Sequence, residues 1–240
     1  MTMTEHTVRA FEEELRALDA KIAQMGGLAE QVVSRAIDAL DHRDPALAEA
    51  TIRQDEQIDR LEHEVEELAI SVIARRQPVA LDLRQIMTAI RVAGDLERIG
   101  DMGKNIAKRA LAIAEEHRPK QLMIGLKHIG DAALEQLKNV LDAYAERNTE
   151  KAYQVWLRDK EIDRIYNSIF RELLTYMMED PRNIGLCTHL LFGAKNIERI
   201  GDHATNIAEM TNYLVHGTEF MEQRPKGDTT SFTMPGTSTA

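Results

Sequence analysis

One motif occurs twice in this chain, and it limits the possible folds more than any other feature. LERIGDMGKNIA begins at Leu96 and IERIGDHATNIA begins at Ile197, and eight of the twelve positions agree. A longer stretch, ALDHRDPALAEATIRQDEQID, aligns without gaps with AYAERNTEKAYQVWLRDKEID, 104 residues further on. The offset falls to 101 residues at the repeated motif, so the second copy is slightly shorter near a turn. The sequence therefore predicts one structural unit built twice, too long for a solenoid repeat.

Each copy of the unit is predicted to contain three long helices. Apolar residues recur three and four positions apart almost throughout, as at Ile58, Leu61 and Val65, and no stretch alternates with the period of a strand. Prolines and capping residues, such as Asp44 before Pro45, mark the helix starts. We predict helices over 5–42, 45–76, 80–116, 120–146, 149–178 and 181–215.

The predicted fold class is all-α, with two tandem, internally duplicated antiparallel three-helix bundles. Repeat 1 is expected to span 5–116 and repeat 2 to span 120–217. The segment 222–240 is rich in Thr, Ser, Gly and Pro, which predicts a disordered polar tail.

Composition narrows the class of protein. The net charge of −10 argues against nucleic acid or an anionic membrane as a direct partner, since both favour clustered Lys and Arg. Cys187 is the only cysteine, which excludes an intramolecular disulfide and favours a reducing compartment. The N-terminus lacks a basic start followed by an apolar run, and no segment approaches the ~20 apolar residues of a membrane span. We therefore expect a soluble cytoplasmic protein.

The repeated motif places acidic residues in register with acids on the preceding helix. Glu97 and Asp101 are four residues apart and share a helix face, and so do Asp55 and Asp59. Both pairs lie at similar distances from the turn between their helices, ~27–35 Å at 1.5 Å per residue. An antiparallel hairpin would bring them to one level. Repeat 2 has the same arrangement, with Asp159 and Asp163 on one helix and Glu198 and Asp202 on the next.

Four carboxylates at one level would repel one another, and a multivalent cation would remove that repulsion. Oxygen ligands suit Mg, Ca, Mn or iron. The alternative is that these acids are solvated surface charges paired with Arg98, Arg199 or other basic neighbours. His203 points about 100° away from Asp202 on a helix, so we expect it on the surface rather than as a ligand.

The stretch ARRQPVALDLR also has two interpretations. Arg75 and Arg76 would lie at a helix C-terminus, where positive charge is favourable, and Asp82 would cap the next helix. The alternative is a loop that faces a partner. The sequence contains no P-loop, nucleophile elbow or glycine-rich dinucleotide turn, so we expect no enzyme.

Four segments closely resemble the PhoU family of phosphate-specific transport system accessory proteins. They are RRQPVALDLR at 75–84, LERIGD at 96–101, TYMMED at 175–180 and IERIGD at 197–202. The resemblance covers about residues 6 to 217 and includes the duplication. It implies a fold of two similar three-helix bundles.

The resemblance also implies a function. Members of this family are cytoplasmic, commonly homodimeric, negative regulators of the phosphate-starvation response. They are thought to connect the ATPase subunit of the phosphate ABC transporter with the sensor histidine kinase PhoR, and to restrain phosphate uptake. They would reach the membrane only through these partners.

Metal binding is a further implication of the resemblance. The family's acidic motifs bind metal ions such as Fe, Mn, Mg or Zn, and they match Glu97 with Asp101 and Glu198 with Asp202. The supporting pairs match Asp55 with Asp59 and Asp159 with Asp163. Two other functions stay open: a helical regulator of another phosphate permease, and a carboxylate-metal enzyme. The latter lacks the Glu-x-x-His pairs of ferritin-like di-iron proteins.

Overall fold

The computed structural model describes residues 3–116 and 120–221, with side chains from 9–116 and 122–221. Within these residues the chain is helical and contains no strand, which confirms the all-α prediction. The helices are α1 (Met3–His42), α2 (Pro45–Gln54), α3 (Glu56–Arg76), α4 (Ala80–Ala112), α5 (Lys120–Glu146), α6 (Thr149–Glu179) and α7 (Ile184–His216), with a 3₁₀ turn at Pro181–Asn183.

Apart from shifts of one or two residues at helix ends, the helices differ from the prediction at three places. The predicted helix over 45–76 is interrupted at Asp55, because the N–H groups of Ile58 and Asp59 both donate to the Asp55 carbonyl. The helix predicted to reach 116 ends at Ala112, where the bonding tightens to three-residue spacing. Residues 181–183 form a 3₁₀ turn rather than regular α-helix. The break at Pro119 and the tail 222–240 lie outside the described residues.

The duplication is visible in the first turn of each repeat. Arg43 and Arg147, 104 residues apart, both end their helices with a positive φ, of 56° and 55°. Each precedes a capping side chain. The Asp44 carboxylate accepts the Leu47 N–H at 2.9 Å, and the Asn148 amide oxygen accepts the Lys151 N–H at 3.0 Å. In both copies, therefore, a residue with a positive φ followed by a capping side chain precedes the second helix.

Each repeat is a three-helix bundle, and the two bundles pack side by side. The first contains α1, the broken helix α2–α3, and α4, and the second contains α5, α6 and α7. The bundles meet where α4 packs on α7 and α1 packs on α5. One continuous apolar core runs through both. Across the part of the chain that is described, every helix falls short of the apolar length that a bilayer crossing requires.

Matching glycines allow α1 and α5 to approach closely. A Cβ on Gly26 would lie 2.7 Å from Leu141 Cδ2, and a Cβ on Gly130 would lie 2.9 Å from Ile37 Cδ1. Both the two glycines and the two contact residues are 104 positions apart. The interface between the repeats is therefore itself approximately two-fold symmetric.

The RRQP turn has a structural role in the hairpin between α3 and α4. The Arg76 guanidinium donates to both carboxylate oxygens of Glu14 on α1, at 2.9 and 3.1 Å, and Arg75 lies 3.2 Å from the same carboxylate. These contacts join the end of α3 to α1. The prediction that Asp82 caps α4 is wrong, because Val79 occupies the N-cap position and Asp82 lies inside the first turn.

The contact between α4 and α1 yields a prediction with an internal control. A Cβ on Gly103 would lie 2.7 Å from Val32 Cγ1 and 3.3 Å from backbone atoms of Val32 and Val33, whereas nothing lies within 4 Å of a Cβ on Gly27. We expect Gly103→Ala to destabilise the protein by ~1–3 kcal/mol. Gly27→Ala should stabilise it by ~0.4–1 kcal/mol, since alanine is the better helix former. Urea unfolding of both variants checks this, and equal stability of the two would contradict the packing described.

Candidate functional site

The eight predicted acids lie on the helices that flank the α4–α7 contact. Asp55 is at the bend between α2 and α3, and the others are within helices. Repeat 1 contributes Asp55, Asp59, Glu97 and Asp101, and repeat 2 contributes Asp159, Asp163, Glu198 and Asp202. We refer to these as the first and second carboxylate sites.

Lys104 joins two acids of the first carboxylate site. Its ammonium group donates to Asp55 from the α2–α3 bend, and it lies 2.5 Å from Asp101 on its own helix. The Asp55 side chain is 1% exposed, so its charge is held inside the protein. The structure thus brings the acids of neighbouring helices to one level, as the matched distances from the turn predict.

Gly100 makes room for this contact. A Cβ at this position would lie 2.7 Å from both Asp55 Oδ1 and Ile58 Cδ1. Asp55 Oδ1 is buried and has no hydrogen-bond partner. A buried carboxylate oxygen without a donor is unfavourable, because it has lost its hydration without replacement. One coordination direction of Asp55 is therefore unsatisfied.

The outer part of the first site is strongly acidic. Burial, together with the neighbouring Asp101 charge, raises the pKa of Glu97 to about 7 against the opposing effect of Arg98. Burial, together with Glu66, also raises the pKa of Glu62. Sequence reasoning missed Glu62, although it continues the spacing from Asp59 by three residues on the same helix face. The site therefore has five acids in the structure.

In the second site, Glu198 is more deeply buried than its counterpart Glu97 in the first site. Glu198 is 4% exposed, and Lys195 donates to its Oε1 at 2.9 Å, while Oε2 is buried without a hydrogen-bond partner. Burial raises the pKa of Glu198 to about 7, and the charges of Asp202 and Asp163 act in the same direction against Lys195. Asp159 and Asp163 are also buried.

A polar contact from α5 lies beside this second site. The Gln136 amide donates to the Thr205 hydroxyl at 3.3 Å, and Thr205 donates to the Gly201 carbonyl at 3.0 Å. Gln136 Oε1 is buried without a partner and would be 3.3 Å from a Cβ on Gly201, with Asp159 Oδ1 at 3.5 Å. Gly201 therefore gives Asp159 and Gln136 close access to α7, as Gly100 does for Asp55.

The two sites differ in where their lysines lie. Lys104 corresponds to Thr205 at the 101-residue offset, and Lys195 corresponds to Gly94. The first repeat thus carries its lysine one turn after Asp101, and the second carries its lysine one turn before Glu198. Burial acts to lower the pKa of Lys104, but hydrogen bonds to Asp101 and Asp55 outweigh it and raise the pKa. Comparing the two copies position by position would have revealed both lysines.

A polar network between the sites ties α4 to α7. Asp95 Oδ1 on α4 accepts from Asn206 at 3.0 Å and is 2.8 Å from His203 Nδ1. The expectation that His203 lies on the surface is wrong. It is half-buried at this interface, because the helix face that points away from the second site packs on α4.

The chemistry of the donor set fits an oxygen-preferring cation. Both sites present carboxylates and no thiol, and each has one buried carboxylate oxygen, Asp55 Oδ1 or Glu198 Oε2, that lacks a donor. Such oxygens suit a hard divalent ion. In the described residues, no three His, Cys, Asp or Glu side chains are already gathered around one metal position. Binding would thus require side chains to rearrange.

Comparisons of the sequence and of the structure with known proteins point to the same family. A family model described as the PhoU domain matches residues 22–110 and again 126–211. The phosphate-specific transport system accessory protein PhoU homolog of Rhizobium meliloti is 57% identical over 226 residues, covering 94% of this chain and 95% of that protein. The protein of the same name from Caulobacter vibrioides is 51% identical over 229 residues, covering 95% and 100%.

A solved structure shares the fold. The crystal structure of PhoU from Pseudomonas aeruginosa superposes with a TM-score of 0.84 at 41% identity, covering 87% of this chain and all of that one. The similarity thus extends over both repeats and their relative arrangement.

The raised pKa values predict how stability depends on pH. Glu97 and Glu198 titrate at about 7 in the fold instead of 4.5, so the folded state binds protons more tightly than the unfolded state between these values. The contribution of these two glutamates to the free energy of unfolding should therefore fall as pH rises from 4.5 to 7. With chelator present, Glu97→Gln/Glu198→Gln should be more stable than wild type at pH 8 by ~1–3 kcal/mol, and the difference should shrink towards pH 5.

Denaturant unfolding at pH 5 and pH 8 measures this difference. Glu161→Gln, at an exposed position of α6, serves as the control and should change stability by less than ~0.5 kcal/mol at either pH. If the double variant is no more stable than the wild type at pH 8, the buried charges of Glu97 and Glu198 do not destabilise the folded protein.

Proposed function

This chain belongs to the PhoU family, and we propose from that membership that it serves as an accessory protein of a phosphate-specific transport system. The observation that carries the proposal is the pair of PhoU-domain matches, which fall on both repeats. The names of the relatives support it, because they describe accessory proteins of that transport system. The function is therefore that of a binding protein that acts on a transporter.

We further propose that the chain is a cytoplasmic negative regulator of the phosphate-starvation response. It would bind the ATPase subunit of the phosphate ABC transporter and the sensor histidine kinase PhoR, and it would restrain uptake when phosphate is plentiful. A homodimer is expected, which light scattering would detect as twice the chain mass. The rigid helical scaffold supports an adaptor, since it presents separate surfaces on two similar bundles.

One surface suited to a partner is the tip of the α3–α4 hairpin. Val79 is 73% exposed and Leu81 is 58% exposed, although both are apolar. Clustered exposed apolar side chains mark sites of protein contact. We define the apolar tip by its exposed members: Ile70, Val79, Leu81, Leu83 and Met87. We propose that the apolar tip contacts the transporter ATPase subunit.

Charged substitutions test the apolar tip. We expect Val79→Asp/Leu81→Asp to abolish co-purification with the ATPase subunit and to leave the thermal unfolding midpoint unchanged. Both positions are exposed at the start of α4, where acidic residues are tolerated or favourable. Ile184→Asp, exposed at the start of α7, is the matched control and should retain binding. Undiminished binding by the double variant would exclude the tip from the interface.

We also propose that the two carboxylate sites, with their eight acids, bind divalent or trivalent metal ions, the second site directly and the first only where Lys104 gives up its contacts with Asp55 and Asp101. The buried, unpartnered oxygens of Asp55 and Glu198 support this, because a cation would replace the donors that they lack. The metal would neutralise the acidic faces of α4 and α7. These side chains would hold the ion between neighbouring helices and so stiffen each bundle.

Charge-neutral substitutions test the link between the acids and regulation. We expect elemental analysis to find stoichiometric metal in the wild-type protein and none in Glu97→Gln/Asp101→Asn/Glu198→Gln/Asp202→Asn. In cells grown with ample phosphate, this variant should fail to repress a phosphate-starvation reporter, because the metal-bridged faces are no longer formed. Full repression by this variant, with wild-type protein levels, would make the acidic faces dispensable.

A further inference from the structure

The two carboxylate sites receive different residues at the same structural position. In repeat 1 the Lys104 ammonium reaches Asp55 and Asp101, whereas repeat 2 has Thr205 at the corresponding position. The Thr205 side chain is neutral, and its hydroxyl donates to the Gly201 carbonyl and accepts from Gln136. The duplication therefore allows one position to be compared in two sites, where it carries the cationic Lys104 in repeat 1 and the neutral Thr205 in repeat 2.

The Lys104 ammonium stands between two helices, where a bridging metal ion would stand. Asp55 comes from the α2–α3 bend and Asp101 from α4, and the Lys104 ammonium between them contacts both carboxylates. Gly100 allows Asp55 to approach, and Asp55 Oδ1 lies buried without a hydrogen-bond partner. The position is thus built for a cation, and a side chain of the protein already fills it.

We propose that Lys104 is the resident cation of the first carboxylate site and keeps metal ions out of the position between Asp55 and Asp101. This inference rests on the proposed metal binding by the carboxylates. A metal ion and an ammonium group repel each other, and an ion that bridged the two helices here would need Asp55 Oδ2 and Asp101 Oδ1, the two oxygens that Lys104 already contacts. A metal ion can therefore enter only if Lys104 leaves. The two repeats, although copies, are not equivalent cation sites.

The test removes the lysine while the second site is disabled. In a Glu198→Gln/Asp202→Asn background, Mn²⁺ binding is measured by calorimetry and by electron paramagnetic resonance, with and without Lys104→Thr. We expect Lys104→Thr to bind Mn²⁺ at least tenfold more tightly than the protein that retains Lys104. Lys108→Thr, an exposed lysine one turn further along α4, is the matched control and should leave binding unchanged.

Thermal unfolding gives an independent measurement on the same proteins. Without metal, Lys104→Thr should have a lower midpoint, since Asp55 loses its counter-charge inside the protein. Saturating Mn²⁺ should restore the midpoint of Lys104→Thr and should not shift the protein that retains Lys104. Lys104→Arg keeps the charge and should behave as the parent protein does.

Two results would overturn the inference. If the protein with Lys104 binds Mn²⁺ as tightly as Lys104→Thr, the lysine does not exclude the metal. If neither binds Mn²⁺, the position is not a cation site that Lys104 occupies. Co-purification with the transporter ATPase subunit does not depend on Mn²⁺ binding. Either of these two results would therefore leave the proposed accessory function to be tested separately.

Discussion

The burial of carboxylates between helices is the constraint on which the rest of the structure depends. Asp55 and Glu198 are almost completely enclosed, and a buried negative charge is unfavourable unless a cation or hydrogen-bond donors compensate it. Glycine at positions 100 and 201 allows the acidic helices to approach this closely. A lysine in each repeat supplies part of the compensation. The remaining unpartnered oxygen of Glu198 makes the second site receptive to a further cation.

The duplicated architecture places the two acidic sites on either side of one interface. Helices α4 and α7 carry the repeated motif and pack on each other, while α1 and α5 pack behind them through matching glycines. The Asp95–His203–Asn206 network lies between the sites and has no counterpart with the same residues, since Asn196 and Met102 replace Asp95 and His203. The repeats therefore keep a common backbone while their polar chemistry has diverged.

The sequence alone was sufficient for the fold class and for placing Asp55 level with Asp101, because helical period, proline positions and distance from a turn are properties of the chain. The lysines were not predicted, since a spacing rule for acids does not say which neighbouring side chain reaches between helices. The orientation of Glu62 and the half-buried position of His203 depend on the rotation of each helix about its axis. Packing between the repeats determines that rotation, and periodicity within one helix does not. The helix break at Asp55 likewise depends on a local hydrogen-bond choice that composition does not reveal.

The most direct test of this account is the location of manganese in crystals grown with Mn²⁺, observed by anomalous diffraction. The account predicts a peak beside Glu198, Asp163 and Asp202 in the second site. It predicts no peak between Asp55 and Asp101, where Lys104 should keep its contacts. A peak between Asp55 and Asp101 with Lys104 displaced, or no peak at either site, would contradict the claim that the buried carboxylates are balanced by Lys104 alone in the first repeat and by Lys195 together with a metal ion in the second.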